Sequence, residues 1–230
     1  MSGSLVSADL RGRIRALAEP VARGFGRLGL TPNHLTFIGF GIACIAAVAA
    51  AQQAWLAAGI LVLVGGSFDL FDGAVARATN KVSKLGAFYD SVFDRWGEGV
   101  VYIGLTIGCL AAGFEIGAIL SVIALSSAVM VSYTRAKSES LGFTPGTGMA
   151  SVGLAPREIR IAILAIAFIG TDLGGGLSDF LLVGTPWLWW TLGYDTAQPW
   201  LATVLTVLAI LATITTIQRI LHVRAQAREG

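Results

Sequence analysis

Six stretches of mainly apolar residues, each long enough to cross a bilayer, constrain the fold of this chain more than any other feature. A helix that spans the hydrocarbon core of a membrane needs about 20 such residues. Charged residues make up only 13% of the chain, against roughly 25% in a typical soluble domain. The sequence therefore predicts an all-α integral membrane protein with six transmembrane helices, over residues 34–52, 55–76, 94–113, 115–134, 158–177 and 199–220.

The segments outside these stretches suggest a simple domain organisation. Residues 1–33 hold five arginines and no apolar core typical of a signal peptide, so we expect a juxtamembrane amphipathic helix lying on the membrane surface, or else a disordered basic tail. Residues 34–222 would form one six-helix transmembrane domain, and residues 223–230 a cytoplasmic tail. We find no second soluble domain.

The distribution of basic residues predicts the orientation in the membrane. All 16 lysines and arginines fall into four groups, and the connections near 53, 114 and 178–198 carry none. Lysine and arginine are enriched on the cytoplasmic side of membrane proteins. We therefore expect both termini to be cytoplasmic in a multi-pass protein of the cell (plasma) membrane, with a basic inner face that suits anionic lipids and with no nucleic-acid partner. The four groups lie at residues 11–27, 77–95, 135–160 and 219–228.

The segment 69–95 gathers four aspartates, although the whole chain has only 14 acidic residues. At about 100° per residue, Asp69 and Asp72 share one side of a helix with three other residues of the same segment. Asp90 and Asp94 share one side of the next helix, and a short polar turn joins the two helices. Two antiparallel helices could thus present four carboxylates to one point. The residues that share a side with these aspartates are Gly73, Ala76, Arg77 and, on the second helix, Gly86.

Four carboxylates close together repel one another unless cations neutralise them. All-oxygen ligands suit Mg²⁺, Mn²⁺ or Ca²⁺ rather than zinc. Two bound metals would form a clamp for a phosphate or diphosphate, and Arg77 would add a positive fork. The alternative is that each aspartate caps a helix or pairs with a nearby arginine, which leaves their shared faces without a reason.

The spacing Asp69-x2-Asp72-Gly73-x2-Ala76-Arg77-x8-Gly86-x3-Asp90-x3-Asp94 resembles the signature of the CDP-alcohol phosphotransferase family at all eight positions. The six predicted spans agree with that family independently. The resemblance implies transfer of a phosphatidyl group from CDP-diacylglycerol to an acceptor alcohol, with release of CMP, in phospholipid biosynthesis. It also implies a homodimer and two Mg²⁺ or Mn²⁺ ions per active site at the cytoplasmic face.

The resemblance assigns expected roles residue by residue. Asp94 would be both a metal ligand and the general base that accepts the proton of the acceptor hydroxyl. The other metal ligands would be Asp69, Asp72 and Asp90. The CDP-diacylglycerol site would be lined by Asp69, Gly73, Ala76, Arg77, Thr79 and Gly86.

The acceptor is predicted from basic residues farther along the chain. A phosphorylated acceptor needs its own cationic pocket, although cytoplasmic basic residues could equally reflect orientation alone. The segments "SYTRAKSESLG" and "APREIR" resemble actinobacterial phosphatidylinositol-phosphate synthases, so we favour D-myo-inositol 1-phosphate as acceptor. Its phosphate would contact Arg135, Lys137, Arg157 and Arg160.

Three alternatives remain open. A phosphatidylglycerophosphate synthase that uses glycerol 3-phosphate would need a similar basic pocket. A divalent-cation transporter would explain intramembrane carboxylates, but it predicts acids deep in several spans and gives Arg77 no purpose. A non-catalytic lipid-binding scaffold would explain the arginines but leaves the aspartates without a function.

Overall fold

The computed structural model describes residues 29–78, 83–143, 152–173 and 197–229, together with Gly24; within these ranges the side chains at 70, 72, 73, 77, 78, 197 and 229 are left undescribed. The described residues form helices and contain no strand. Each of the six predicted apolar stretches coincides with one helix. The helices are α1 (Pro32–Ala51), α2 (Trp55–Ala78), α3 (Lys84–Ala111), α4 (Glu115–Ser140), α5 (Arg157–Asp172) and α6 (Ala197–Glu229).

The six helices pack as a closed ring. Around the ring, α1 packs on α2, α2 on α5, α5 on α6, α6 on α4, α4 on α3, and α3 again on α1. Helix α1 therefore lies between the two helices that carry the aspartates. The interior of the bundle is filled by a continuous apolar cluster that includes Tyr102, Leu105, Phe168 and Leu205, each at most 1% exposed.

Several helix ends differ from those of the predicted apolar stretches because local capping and packing set them; α5, for example, ends at Asp172 rather than at 177. Helix α3 begins at Lys84, where the side chain of Ser83 accepts the Gly86 amide at 3.0 Å. Its first turns pack on α1 through the rings of Phe93 and Phe37, whose centroids are 4.9 Å apart. Helix α6 continues to Glu229 and so includes most of the segment predicted as a cytoplasmic tail. The predicted N-terminal helix falls almost wholly outside the described residues.

Among the described residues, four helical segments are long and apolar enough to cross a membrane: Pro32–Ala51, Trp55–Ala76, Glu115–Ser140 and Gln198–Arg228. Helix α3 carries Asp94, Arg95 and Glu98 at the start of its apolar stretch, and α5 has 16 residues. The apolar helices agree with a membrane protein, while the number of crossings and the orientation stay predictions.

Helices α1 and α3 approach closely at two glycines of α3. A Cβ atom on Gly104 would lie 2.1 Å from the carbonyl oxygen of Ala47, and one on Gly108 would lie 2.1 Å from that of Ala50. Small residues permit this approach, which is valuable in lipid because association there depends on van der Waals packing. Gly104 and Gly108 therefore set the distance between the helix that carries Asp94 and its neighbour.

We expect Gly104→Ala to destabilise the folded protein by about 1–3 kcal/mol, the usual cost of overpacking a dense interface. Thermal unfolding in detergent measures the effect. Gly99→Ala on the same helix is the matched control, because a Cβ at Gly99 meets nothing within 4 Å. Alanine favours a helix over glycine by up to about 1 kcal/mol, so the control should be neutral or more stable. Equal melting temperatures for the two variants would contradict the close approach.

Candidate active site

The side chain of Arg157 joins two aspartates that come from different helices. Its Nη1 contacts Oδ2 of Asp69 on α2 and lies 3.0 Å from Oδ2 of Asp94 on α3. Arg95 adds a second cation 3.2 Å from the same Asp94 oxygen. The structure thus brings Asp69 and Asp94 together, as their helical spacing predicted, and places Arg157 with them.

The local sequence explains how each group reaches this point. Asp69 lies near the end of α2, and Asp94 lies one turn after Asp90 on α3. Arg157 is the first residue of α5 and follows Pro156, which has an extended backbone that suits the start of a helix. The charged centre therefore forms where the first residue of α5 meets the C-terminal half of α2 and the N-terminal half of α3.

Two hollows meet at Asp94. A cavity of about 50 Å³ lies among α1, α2, α3 and α5 and is lined by Asp69, Asp94, Glu98 and Arg157 together with apolar side chains. A larger cleft of about 500 Å³ lies between α3 and α4 and is lined by Asp90, Asp94 and Arg135, among others. Among the described lining residues, Asp94 is the one common to both hollows.

Asp90 faces the larger cleft. Its carboxyl group is half-buried and lies one helical turn before Asp94. Burial raises the pKa of Asp90 above its ordinary value, while the nearby charges of Arg157 and Arg95 oppose this shift. A cation in the cleft would favour the ionised form of Asp90 in the same way.

The four cations predicted to bind the acceptor phosphate occupy different surroundings. Arg135 lines the cleft and also pairs with Glu139 at 2.9 Å, one turn along α4. Lys137 is exposed on the same helix. Arg157 lies in the aspartate centre, and Arg160 is 1% exposed inside the bundle. The structure therefore brings Arg135 and Arg157 to opposite sides of Asp94.

The remaining predicted residues belong mainly to the last turns of α2 and the first turn of α3. Ala76 is half-buried in α2, and Gly86 lies in the first turn of α3. The backbone positions of Asp72, Gly73 and Arg77 belong to α2, while their side chains, and Thr79 as a whole, lie outside the described residues.

Sequence reasoning missed Glu98. Its Oε1 accepts Nε of Arg160 at 2.9 Å, and its Oε2 accepts Nη2 of the same arginine at 2.8 Å. The signal was available, because the four-residue step from Asp90 to Asp94 continues to Glu98. Arg160 is thereby held in a bidentate, buried ion pair beneath the aspartate centre.

Arg219 is a second residue that sequence reasoning did not assign to the site. It is 4% exposed on α6 and donates to two backbone carbonyl oxygens, those of Val131 and, at 3.1 Å, Val152. Among the described residues no carboxylate lies within ion-pair distance of it. Its position within the long run of α6, before the exposed Arg224 and Arg228, was the available signal.

The donor set fits a hard divalent cation. Carboxylate oxygens are the ligands that Mg²⁺ and Mn²⁺ prefer, and Asp69 and Asp94 already share one cationic group, the guanidinium of Arg157. Within the described part of the chain no three His, Cys, Asp or Glu side chains meet at one point. The carboxylate of Asp72 lies outside that part. Asp69 and Asp94 are therefore the pair that could hold a metal together.

Comparison with known proteins identifies relatives of the chain. The sequence model of a family described as CDP-alcohol phosphatidyltransferase matches residues 29–208. The archaetidylinositol phosphate synthase of Pyrococcus horikoshii is 37% identical over 70% of this chain and 80% of its own length. The phosphatidylinositol phosphate synthase of Mycolicibacterium smegmatis is 33% identical over 74% of this chain and 72% of its own.

Solved structures of the Mycobacterium tuberculosis phosphatidylinositol phosphate synthase share the fold. The crystal structure with CDP-DAG bound has a TM-score of 0.69 at 28% identity, over 90% of this chain and 94% of that one. A second structure, in complex with manganese and citrate, has a TM-score of 0.68 and covers 90% and 88% of the two chains. The ring of helices is thus the fold of a known membrane enzyme.

Proposed function

Since the chain belongs to the CDP-alcohol phosphatidyltransferase family, we propose that it transfers the phosphatidyl group from CDP-diacylglycerol to D-myo-inositol 1-phosphate, giving phosphatidylinositol phosphate and CMP. The observation that carries the proposal is the position of Asp94 between two hollows. One side holds Asp69 and Arg157, which suit a diphosphate and its metals. The other holds Asp90 and Arg135, which suit a phosphorylated alcohol.

In the proposed reaction Asp94 accepts the proton of the acceptor hydroxyl. The hydroxyl oxygen bonds to the phosphorus that bears the lipid, the bond from that phosphorus to the bridging oxygen breaks, and CMP leaves. A carboxylate that lines both hollows can reach the acceptor from the cleft side while the diphosphate lies on the other. No covalent bond to the enzyme is needed.

Asp69, Asp72, Asp90 and Asp94 are the residues that would hold two Mg²⁺ or Mn²⁺ ions. When bound, such ions neutralise the diphosphate and stabilise the charge on departing CMP. The residues that would line the CDP-diacylglycerol site are Asp69, Gly73, Ala76, Arg77, Thr79 and Gly86. Arg157 supports a role beside the phosphates, because its Nε is a buried donor without a partner among the described residues.

The acceptor phosphate would be bound from the cleft. Arg135 is the proposed cation best placed for it, because its half-exposed side chain lines the cleft and pairs with Glu139 in an exchangeable surface bridge. Lys137, exposed on the same helix, would contribute from the flank. Arg157, predicted from the sequence for the same phosphate, lines the inner cavity instead and would face the diphosphate. Arg160, in its buried pair with Glu98, would act through the fold around Arg157 rather than by direct contact.

We also propose six membrane crossings, with both termini cytoplasmic and the active site at the cytoplasmic face of the plasma membrane. The C-terminal half of α2, the N-terminal half of α3 and the start of α5 carry the charged groups that meet, which supports a common membrane side for the segregated basic residues. A homodimer is a further proposal that rests on family membership.

The decisive experiment is a CMP-release assay with purified protein. Inositol 1-phosphate should be the best acceptor when compared with free inositol, glycerol 3-phosphate and serine. Some relatives are named archaetidylinositol phosphate synthases and others phosphatidylinositol phosphate synthases. The assay should therefore also compare CDP-diacylglycerol with its archaeol counterpart. Preference for glycerol 3-phosphate would replace the proposed acceptor. No CMP release with any pair, combined with metal uptake into vesicles, would favour a transporter.

Chelation with EDTA should stop CMP release, because the aspartates would lose the cations that neutralise the diphosphate. Added Mg²⁺ or Mn²⁺ should restore it, and the two metals can be compared by titration. Full turnover in excess chelator would refute the metal site.

We expect Arg135→Ala to raise the Michaelis constant for the acceptor by about 10–100-fold, as for loss of a charged hydrogen bond. The Michaelis constant for CDP-diacylglycerol should change much less. Lys137→Ala should raise the Michaelis constant for the acceptor by a smaller factor. Arg224→Ala, an exposed arginine on α6, is the control. Equal changes for both substrates would argue against an acceptor pocket at Arg135.

A further inference from the structure

The turn that precedes α5 is held by one hydroxyl group of α6. The amides of Leu154 and Ala155 donate to Oγ1 of Thr215 at 3.1 and 2.9 Å. The same hydroxyl donates to the carbonyl of Leu211 at 2.8 Å. A hydroxyl has one hydrogen and two acceptor lone pairs, so that of Thr215 is fully used. Its side chain is fully buried.

The backbone of the turn also packs closely against Thr215, at Gly153. Gly153 has φ of +118°, a left-handed conformation that residues with a Cβ rarely adopt. A Cβ on Gly153 would lie 2.2 Å from Cγ2 of Thr215. Glycine therefore lets the backbone lie against the threonine so that the next two amides reach its oxygen.

The same peptide segment is held from the opposite side by Arg160. Its Nη1 donates to the carbonyl oxygen of Ala155 at 3.2 Å, while its other nitrogens bind Glu98. Ala155 is thus fixed at its amide by α6 and at its carbonyl by α5. Arg157 follows two residues later and reaches Asp69 and Asp94.

We propose that Thr215 is a positioning residue that holds the guanidinium of Arg157 in the aspartate centre through the turn 152–156. It acts through Arg157 and does not itself contact the reacting groups. The kinetic part of the proposal rests on the proposed transferase function. Helix α6 contributes no aspartate to the site, but through Thr215 it helps to fix the position of Arg157.

The test compares Thr215→Val, which keeps the shape and removes the acceptor, with Thr215→Ser, which keeps the hydroxyl. Thr216→Val is the matched control, because Thr216 is also a buried threonine of α6, and among the described residues its hydroxyl bonds to its own helix, at Ala212. Gly153→Ala disturbs the turn without changing Thr215, so the test survives if Thr215→Val folds poorly. Thermal melting in detergent identifies such a failure.

The first readout needs no turnover. In protein with ¹⁵N-labelled arginine, the Nε–H signal of Arg157, assigned by its loss in Arg157→Lys, should shift in Thr215→Val and Gly153→Ala. It should stay in place in Thr215→Ser and Thr216→Val. An unchanged Arg157 signal in both of the first two variants would overturn the proposal, whether or not the chain proves to be a transferase.

The second readout is CMP release. Thr215→Val should lower kcat/KM by about 10–100-fold, as expected when a distant change misplaces a residue that positions the substrate. Thr215→Ser should recover most of the loss. In an Arg157→Ala background, Thr215→Val should have almost no further effect, because the residue through which it acts is already gone. Full additivity of the two changes would identify a general structural role and overturn the proposal. Inactive wild-type protein would instead refute the proposed function.

Discussion

Replacing Asp94 with asparagine should reduce the rate of CMP release by about 10²–10⁴-fold, the usual contribution of a general base. Asparagine keeps the size and one oxygen of the side chain but has no basic oxygen for the acceptor proton. Binding of CDP-diacylglycerol should persist, because Asp69 and Arg157 still line the inner cavity proposed for the diphosphate. Turnover and equilibrium binding of the nucleotide, measured separately, distinguish the two effects.

The control for this change is Asp172→Asn, which alters an exposed carboxylate at the far end of α5. It should release CMP at the wild-type rate. Normal turnover by Asp94→Asn would show that another group removes the proton. Loss of nucleotide binding together with turnover would instead assign Asp94 to metal or substrate binding alone.

Replacing Glu98 with alanine should destabilise the protein by about 3–5 kcal/mol, the cost of leaving one partner of a buried ion pair without its counter-charge. The side chains of Glu98 and Arg160 are 7% and 1% exposed, so water cannot compensate Arg160. Chemical or thermal unfolding in detergent measures the loss. Glu158→Ala, at an exposed position of the same helix as Arg160, should change stability by no more than about 1 kcal/mol.

The double variant Glu98→Leu with Arg160→Leu separates stability from activity. Apolar replacement of both partners of a buried pair is often nearly neutral, so the double variant should be more stable than Glu98→Ala alone. It also removes the Arg160 hydrogen bond to Ala155, so activity should stay low even where stability recovers. Equal stability of the single and double variants would contradict the charge-burial argument.

Hydropathy was sufficient to locate all six helices, because an apolar stretch of spanning length leaves few alternatives. It did not fix where the helices end. The start of α3 at Lys84 depends on the Ser83 cap and on aromatic contacts with α1, and neither contributes to an apolar count.

The convergence of Asp69 with Asp94 was predictable because both follow local helical periodicity. The position of Arg157 was not predictable, because it depends on α5 packing against α2 at a sequence separation of 88 residues from Asp69. The sequence grouped Arg157 with Arg160 as equivalent cations. The structure separates them, since helical geometry turns one toward the aspartates and the other toward Glu98.

The wall between the two hollows has a consequence for how such enzymes could diversify. Among the described lining residues, the cleft and the inner cavity share Asp94, and the rest of the cleft is formed by α4 and the outer face of α3. If the cleft binds the acceptor, as proposed, substitutions at Ser132, Tyr133 and Arg135 would alter the head group that is accepted without reshaping the inner cavity proposed for the diphosphate. The displacement of CMP could in this way be inherited unchanged while the head group of the product lipid varies between lineages.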